Sequence, residues 1–123
     1  MLGHLSFGVA NLEQSIRFYD AAFAPLGYCR LWRTERAAGY GSPGGNDRLA
    51  LFACGSDASP PGPGFHLAFV APDRAAVDGF HKAALAAGGS DAGPPGLRDH
   101  YGPSYYAAFV KDLDGYKLEA VHQ

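Results

Sequence analysis

His4-Leu5-Ser6-Phe7-Gly8-Val9 opens a stretch, running to Gly27, that returns sixty-two positions later without a gap, from His66-Leu67-Ala68-Phe69 to Gly89. His4 meets His66, Leu5 meets Leu67, Phe7 meets Phe69, Phe18 meets Phe80 and Gly27 meets Gly89. Ala21, Ala22 and Ala24 meet Ala83, Ala84 and Ala86. The alanines carry little weight, because Ala-rich helices match readily by chance. The shared His-Leu-x-Phe start and the shared terminal glycine are harder to dismiss, and they mark two copies of one unit. A repeat of this kind constrains architecture more firmly than local propensity does.

Each copy opens with a strand pattern. Leu5, Phe7 and Val9 alternate with His4, Ser6 and Gly8, and Phe65, Leu67 and Phe69 alternate with His66, Ala68 and Val70. A helix follows in both. Asn11 can cap the first, with Gln14 three residues on, and Leu12, Ile16, Tyr19 and Phe23 recur at helical spacing until Pro25 and Gly27 end the run. Asp73 takes the capping role in the second, where Val77, Phe80, Ala84 and Leu85 form the stripe and Gly88-Gly89 stop it.

Shorter strands come after each helix: residues 28–33 and 48–53 in the first half, 105–111 and 116–121 in the second. The glycine- and proline-rich segments 41–47, 55–64 and 93–96 read as loops. The fold class expected is therefore α+β, with two tandem βαβββ modules, about 1–55 and 65–123, joined by a Gly/Pro-rich linker at 55–64. One helix per module covers one face of its sheet and leaves the other to form a cup.

At 123 residues and 47% hydrophobic content, the chain can bury one core and is too short for two ordinary domains. Its 10 Lys+Arg against 12 Asp+Glu, a formal net charge of -2, include no basic run, so nucleic acid is not an expected partner. No stretch reaches the ~20 apolar residues that span a bilayer, and no leader pattern is visible, so a cytoplasmic location is expected. Cys29 and Cys54 lack a CxxC spacing and read as small buried apolar residues. Asp114-Gly115 reads as a hairpin turn, with Lys111 and Asp112 as surface charges.

Alternation decides what the cup holds, since residues two apart share a face. With Leu5, Phe7 and Val9 toward the helix, His4 and its repeat mate His66 fall on the concave side. On the last strand Leu118 and Ala120 face the helices, and Glu119 joins Lys117 and Val121 on the concave face. Two neutral imidazoles and one carboxylate suit Fe(II), Mn(II), Zn(II) or Ni(II), with coordination positions left open. Trp32, Tyr40, Phe52, Tyr101 and Tyr105 are aromatic material for lining a pocket that takes a small molecule.

His4-Leu-Ser-Phe-Gly-Val, Ser15-Ile-Arg-Phe-Tyr19, Phe65-His66-Leu-Ala-Phe69 and Asp112-Leu-Asp-Gly-Tyr-Lys-Leu-Glu119 together resemble the vicinal oxygen chelate superfamily (glyoxalase, bleomycin resistance and extradiol dioxygenase proteins) across nearly the whole chain. The resemblance implies metal ligands at His4, His66 and Glu119 and a homodimer, with the site completed within one chain or across two. Lactoylglutathione lyases in this superfamily use a further carboxylate on the last strand of the first module, and Leu51 occupies what reads as that position. Extradiol ring-cleaving dioxygenases work with two His and one Glu and place a functional His and Tyr upstream of the last ligand. His100 has the compatible spacing, Phe109 stands at the tyrosine position, and Tyr105 or Tyr106 can supply the phenol. The implied activity is a divalent-metal enzyme closest in motif to these dioxygenases, with His100 and Tyr105 catalytic. The alternatives are a lyase-like isomerase and a metal-free binding protein of the bleomycin-resistance kind.

Overall fold

The computed structural model describes all of residues 1–123. The first module runs β1 (Leu5–Val9), α1 (Leu12–Phe23), β2 (Cys29–Arg33), β3 (Ala37–Gly41) and β4 (Leu49–Ala53). The second runs β5 (Leu67–Val70), α2 (Arg74–Ala86), β6 (Ser90–Leu97), β7 (Tyr106–Lys111) and β8 (Lys117–His122). The modules form two four-stranded mixed sheets of matching topology, β1-β4-β3-β2 and β5-β8-β7-β6. In each, the first strand pairs in parallel with the last and the remaining pairs are antiparallel. Two βαβββ modules are thus what the repeat anticipates.

Local chemistry sets the helix ends. Asn11 Oδ1 accepts from the Gln14 N–H at 3.0 Å, and Asp73 Oδ1 accepts from the Ala76 N–H at 2.7 Å, so each cap satisfies a donor the helix cannot. After α1 a short 3-10 turn, Ala24–Leu26, ends at Gly27, whose φ of 82° is the left-handed conformation glycine tolerates. The buried stripe of α1 includes Leu12, Ile16, Tyr19 and Phe23 as its spacing predicts. On α2, Val77, Phe80 and Ala84 are buried, but Leu85 is exposed and Ala76 takes a place on the buried face.

Two strands escape the sequence pattern. Residues of β3, Ala37-Ala38-Gly39-Tyr40-Gly41, have little strand propensity, yet all five are buried between β2 and β4. Strand β6 contains Gly93-Pro94-Pro95-Gly96, read from sequence as a loop. It survives as a strand because it is the sheet edge and its pairing with β7 is broken by bulges, the setting in which prolines are tolerated.

A single cluster of 22 buried residues draws on α1, α2 and the helix-facing sides of both sheets, including Val9, Leu51, Leu118 and Ala120, with Leu5, Phe7, Leu67 and Phe69 packed against it. Helix α1 packs on α2. The modules are further joined by the Phe23–Phe69 edge contact at 4.9 Å, by Phe7 against Tyr116 at 4.2 Å, and by the Tyr116 hydroxyl donating to Gly8 O at 2.8 Å. Asp112 is not a surface charge as its turn position suggests. It is 6% exposed, accepts from Tyr19 and from the backbone N–H groups of Asp114 and Tyr116, and so holds the β7–β8 turn against α1. Asp114 Oδ1 in turn accepts from the Ala10 N–H. Cys54 is exposed and Cys29 only partly covered, so the expectation of two buried thiols fails; both are free. Cys54 follows β4 directly, where the chain leaves the sheet. No helix is long and apolar enough to cross a membrane.

Candidate functional site

With both helix-facing sides committed to one core, the opposite face of each sheet carries the chemistry. On the second sheet Ala68, Glu119, Phe109 and Gly93 form one row across β5, β8, β7 and β6. Alternation on β8 turns Leu118 and Ala120 into the core, leaving Glu119 on the helix-free face as the strand pattern requires. Its carboxylate is nonetheless fully buried, because Tyr105, Phe109 and His66 close over it.

The Tyr105 hydroxyl donates a 2.5 Å hydrogen bond to Glu119 Oε1. On the other side, His66 Nε2 lies 3.0 Å from Glu119 Oε2 without the alignment of a hydrogen bond, so Oε2 is a buried acceptor with no hydrogen-bond donor. Such an atom is costly unless something positive occupies its lone-pair direction. Burial, and then the bond to Glu119, push the Tyr105 phenol up to about 12, so it holds its proton at neutral pH.

His4 lies elsewhere. Its Nε2 is 2.9 Å from Asp47 Oδ2 and its Nδ1 is 3.2 Å from Ser6 Oγ, on the helix-free face of the first sheet. The bond from His4, with a smaller contribution from Trp32, holds the Asp47 carboxyl below its ordinary 3.8. Trp32 itself lies over Gly39, where no side chain would fit beneath the indole.

The chain alone therefore brings His66, Glu119 and Tyr105 together and leaves His4 with Asp47. Of the two arrangements the sequence leaves open for His4, His66 and Glu119, within one chain or across two, the single chain does not assemble the first: no group of three His, Cys, Asp or Glu side chains gathers at metal-binding distance. The reason is topological, since β1 and β5 edge separate sheets and each imidazole stays with its own sheet.

His100 also stands apart from Glu119. It is on the exposed turn after β6, its ring 4.1 Å from that of Tyr101, which is in turn 5.2 Å from Tyr105. Tyr106 points away, bonding Asp78 on α2. Of the aromatic residues proposed as lining, Tyr40 belongs to the core, while Trp32, Phe52 and Tyr101 are exposed.

The register corrects one equivalence. Glu119 pairs with Ala68, and the repeat mate of Ala68 is Ser6, which pairs with Ala50. Ala50, not Leu51, is the first-module counterpart of Glu119. Leu51 pairs with Phe7 and faces the core, as Ala120 does opposite Phe69. A shift of one residue changes the face, although neither residue supplies a carboxylate.

Sequence reasoning missed Asp47, which it placed in a loop without a role. It also missed the cations around Phe109: Arg98 Cζ lies 5.6 Å and Lys117 Nζ 5.0 Å from the ring centre. Nothing in the spacing of Arg98 marks it, whereas Lys117 was already on the face of Glu119.

A duplicated βαβββ module, with a buried carboxylate and an imidazole on the helix-free face, defines the class of the vicinal oxygen chelate proteins. Residues 1–120 match the family model described as the Glyoxalase/Bleomycin resistance protein/Dioxygenase superfamily, and the chain belongs to that superfamily. It is 35% identical to a glyoxalase/bleomycin resistance protein from Albidiferax ferrireducens T118, with a TM-score of 0.85, covering 100% of this chain and 98% of that one. A glyoxalase-related enzyme from Fulvimarina pelagi is 25% identical with a TM-score of 0.74, over 98% of this chain and 86% of that one. A fosfomycin resistance protein from Mesorhizobium loti, 20% identical with a TM-score of 0.72 over 100% of this chain and 92% of that one, shares the fold. No curated protein matches the sequence.

Proposed function

We propose that the protein is a divalent-metal-dependent enzyme acting on a small organic molecule with adjacent oxygens, its site formed by His66 and Glu119 of one copy and His4 of a second. The observation that carries this reading is Glu119 Oε2, fully buried, without a hydrogen-bond donor and 3.0 Å from His66 Nε2. A carboxylate oxygen and an imidazole nitrogen facing one another in this way fit a shared cation, and the donor set suits Fe(II), Mn(II), Zn(II) or Ni(II). A dimer is supported by large apolar side chains left open on the helix-free faces, with Val70 70% and Phe52 44% exposed.

When bound, such an ion supplies Lewis-acid polarisation of a substrate oxygen. The chain's own residues do the rest. Tyr105 fixes the Glu119 rotamer through Oε1 and leaves Oε2 directed at His66. Phe109 and Tyr105 exclude water from the carboxylate. Asp47 holds the His4 imidazole through Nε2, as partners of metal-binding histidines commonly do, so Nδ1, now 3.2 Å from Ser6 Oγ, is the nitrogen that would turn to an ion. His100 and Tyr101 stand on the turn next to Tyr105, where His100 would exchange a proton with bound substrate rather than with Glu119. Among known reactions of the superfamily, extradiol ring cleavage is closest in motif.

A second reading, a metal-free binding protein, draws on the same contacts: Tyr105 and His66 already face the two oxygens of Glu119. Isothermal titration of the untagged, metal-stripped protein with Mn(II), Ni(II) and Zn(II) separates the two. The enzyme reading expects binding that Glu119→Gln and His66→Ala abolish, and a higher Tm with metal. A protein that takes up none of these ions and gains no thermal stability from them is the binding protein.

A further inference from the structure

Beside His66 the second sheet carries an arrangement that the metal reading does not use. Lys111 of β7 and Lys117 of β8 are direct cross-strand partners. His66, one residue before the Leu67–Leu118 pair, stands on the other side of Lys117. Three cationic or protonatable side chains thus lie in one row on the helix-free face. Like charges placed directly opposite destabilise a sheet, and neither lysine has a carboxylate within ion-pair distance.

The nearby acids are engaged elsewhere. Glu119 meets His66 and Tyr105, Asp112 meets Tyr19, Asp114 caps the Ala10 N–H, and Asp91 meets His81. The row also lines a cavity of about 530 Å³, walled by Pro60, Gly64 and Gly115 together with His66, Lys111 and Lys117. On the far side of Lys117 stands the Phe109 ring, which Arg98 also approaches while its guanidinium is held by Gly96 O and Pro94 O. Arg98 likewise lacks an acidic partner.

We propose that the substrate is an organic anion whose carboxylate or phosphate-type group is received by Lys111 and Lys117 in this cavity, presenting its neighbouring atoms to His66 and Glu119. The inference rests on the metal-site reading above for the identity of the substrate, but the anion site itself stands on the lysine row. Two ammonium groups can each donate charge-assisted hydrogen bonds to one anion, which relieves their mutual repulsion. The glycine- and proline-rich wall leaves room without adding side chains. Lys117, shared between the cavity and the Phe109 face, is the positioning residue that links anion to metal ligands.

The test uses metal-stripped, desalted protein, titrated with inorganic phosphate and separately with acetate at constant ionic strength, followed by amide chemical shifts and Tm. Phosphate or acetate is expected to move resonances of Lys111, Lys117 and Gly64. Lys117→Gln should weaken that binding about tenfold or more, as loss of a charged hydrogen bond does, and Lys111→Gln should weaken it too. Lys82→Gln, on the exposed side of α2, should not, and Glu119→Gln should retain anion binding while losing metal. Anions that bind equally to wild type and Lys117→Gln, or shift nothing around the cavity, overturn the proposal. Metal uptake without anion binding sinks this inference and leaves the metal reading intact; anion binding without metal uptake does the reverse. Which of the two anions binds more tightly assigns the group as phosphate-type or carboxylate.

Discussion

The Tyr19 hydroxyl donates a 2.5 Å hydrogen bond to Asp112 Oδ2, joining the helix of the first module to the β7–β8 turn of the second. Tyr19 is fully buried, Asp112 is 6% exposed, and the other carboxylate oxygen accepts two backbone N–H groups of the turn. Tyr19→Phe should therefore lower unfolding stability by about 1–2 kcal/mol, and Asp112→Ala by about 2–4 kcal/mol, because the alanine strands a phenol and two amides. The double variant should cost less than the sum. Urea melts of the four proteins measure this; strict additivity would mean the bond does not couple the modules.

Glu119 and Tyr105 make a pH prediction. The phenol is raised from 10.0 to about 12, chiefly by burial and next by its bond to Glu119. A raised folded pKa means the fold favours the protonated phenol, so this stabilisation is complete below pH 10 and drains away as pH climbs toward about 12. Tyr105→Phe should flatten the loss of stability across that window. In ultraviolet titration, Glu119→Gln should bring one tyrosine down toward its ordinary value, and an unchanged titration curve would count against the bond.

Because His4 and the His66–Glu119 pair are separate in the chain, a site shared between copies predicts complementation. His4→Ala and His66→Ala should each bind no metal alone. Mixed after mild denaturation and refolding, they should regain roughly a quarter of wild-type metal per chain, since about half the dimers are mixed and each mixed dimer rebuilds one of its two sites. Recovery of none, with dimers present by light scattering, would place His4 outside the metal site.

The Asp47 carboxyl is held below 3.8 mainly by its bond to His4. Carbon-13 titration should find its midpoint under the ordinary aspartate value and see it rise in His4→Ala. The depressed pKa makes this contribution present above about pH 4 and lost as acid protonates the carboxylate. An unmoved midpoint in the variant would show that the pair is not formed in solution.

Trp32 is the only tryptophan, and its indole covers Gly39 so closely that an added Cβ must displace it. Gly39→Ala should push the ring outward, red-shifting fluorescence emission and costing about 1–3 kcal/mol from overpacking. Emission identical to wild type would mean the indole does not rest on that glycine.

How much of this was legible beforehand depends on range. The caps at Asn11 and Asp73, the stripe of α1 and the alternation of β1, β5 and β8 are local matters of hydrogen bonding and side-chain periodicity, and they read correctly. Strands β3 and β6 did not, because their residues favour strands weakly and are held there by neighbours on the sheet or by an edge position that forgives proline. The slip from Ala50 to Leu51 has the same origin: pairing register is set between strands, not along one.

The sequence by itself determined the duplicated module, its superfamily motifs and the face on which His66 and Glu119 lie, since periodicity and chain order are properties of one strand at a time. Only the tertiary structure decided that His4 sits with Asp47, that Tyr105 bonds Glu119 while His100 stands on an exposed turn, and that Asp112 locks the modules. Those outcomes follow from how two sheets share one core, and burial between distant segments leaves no trace in residue spacing.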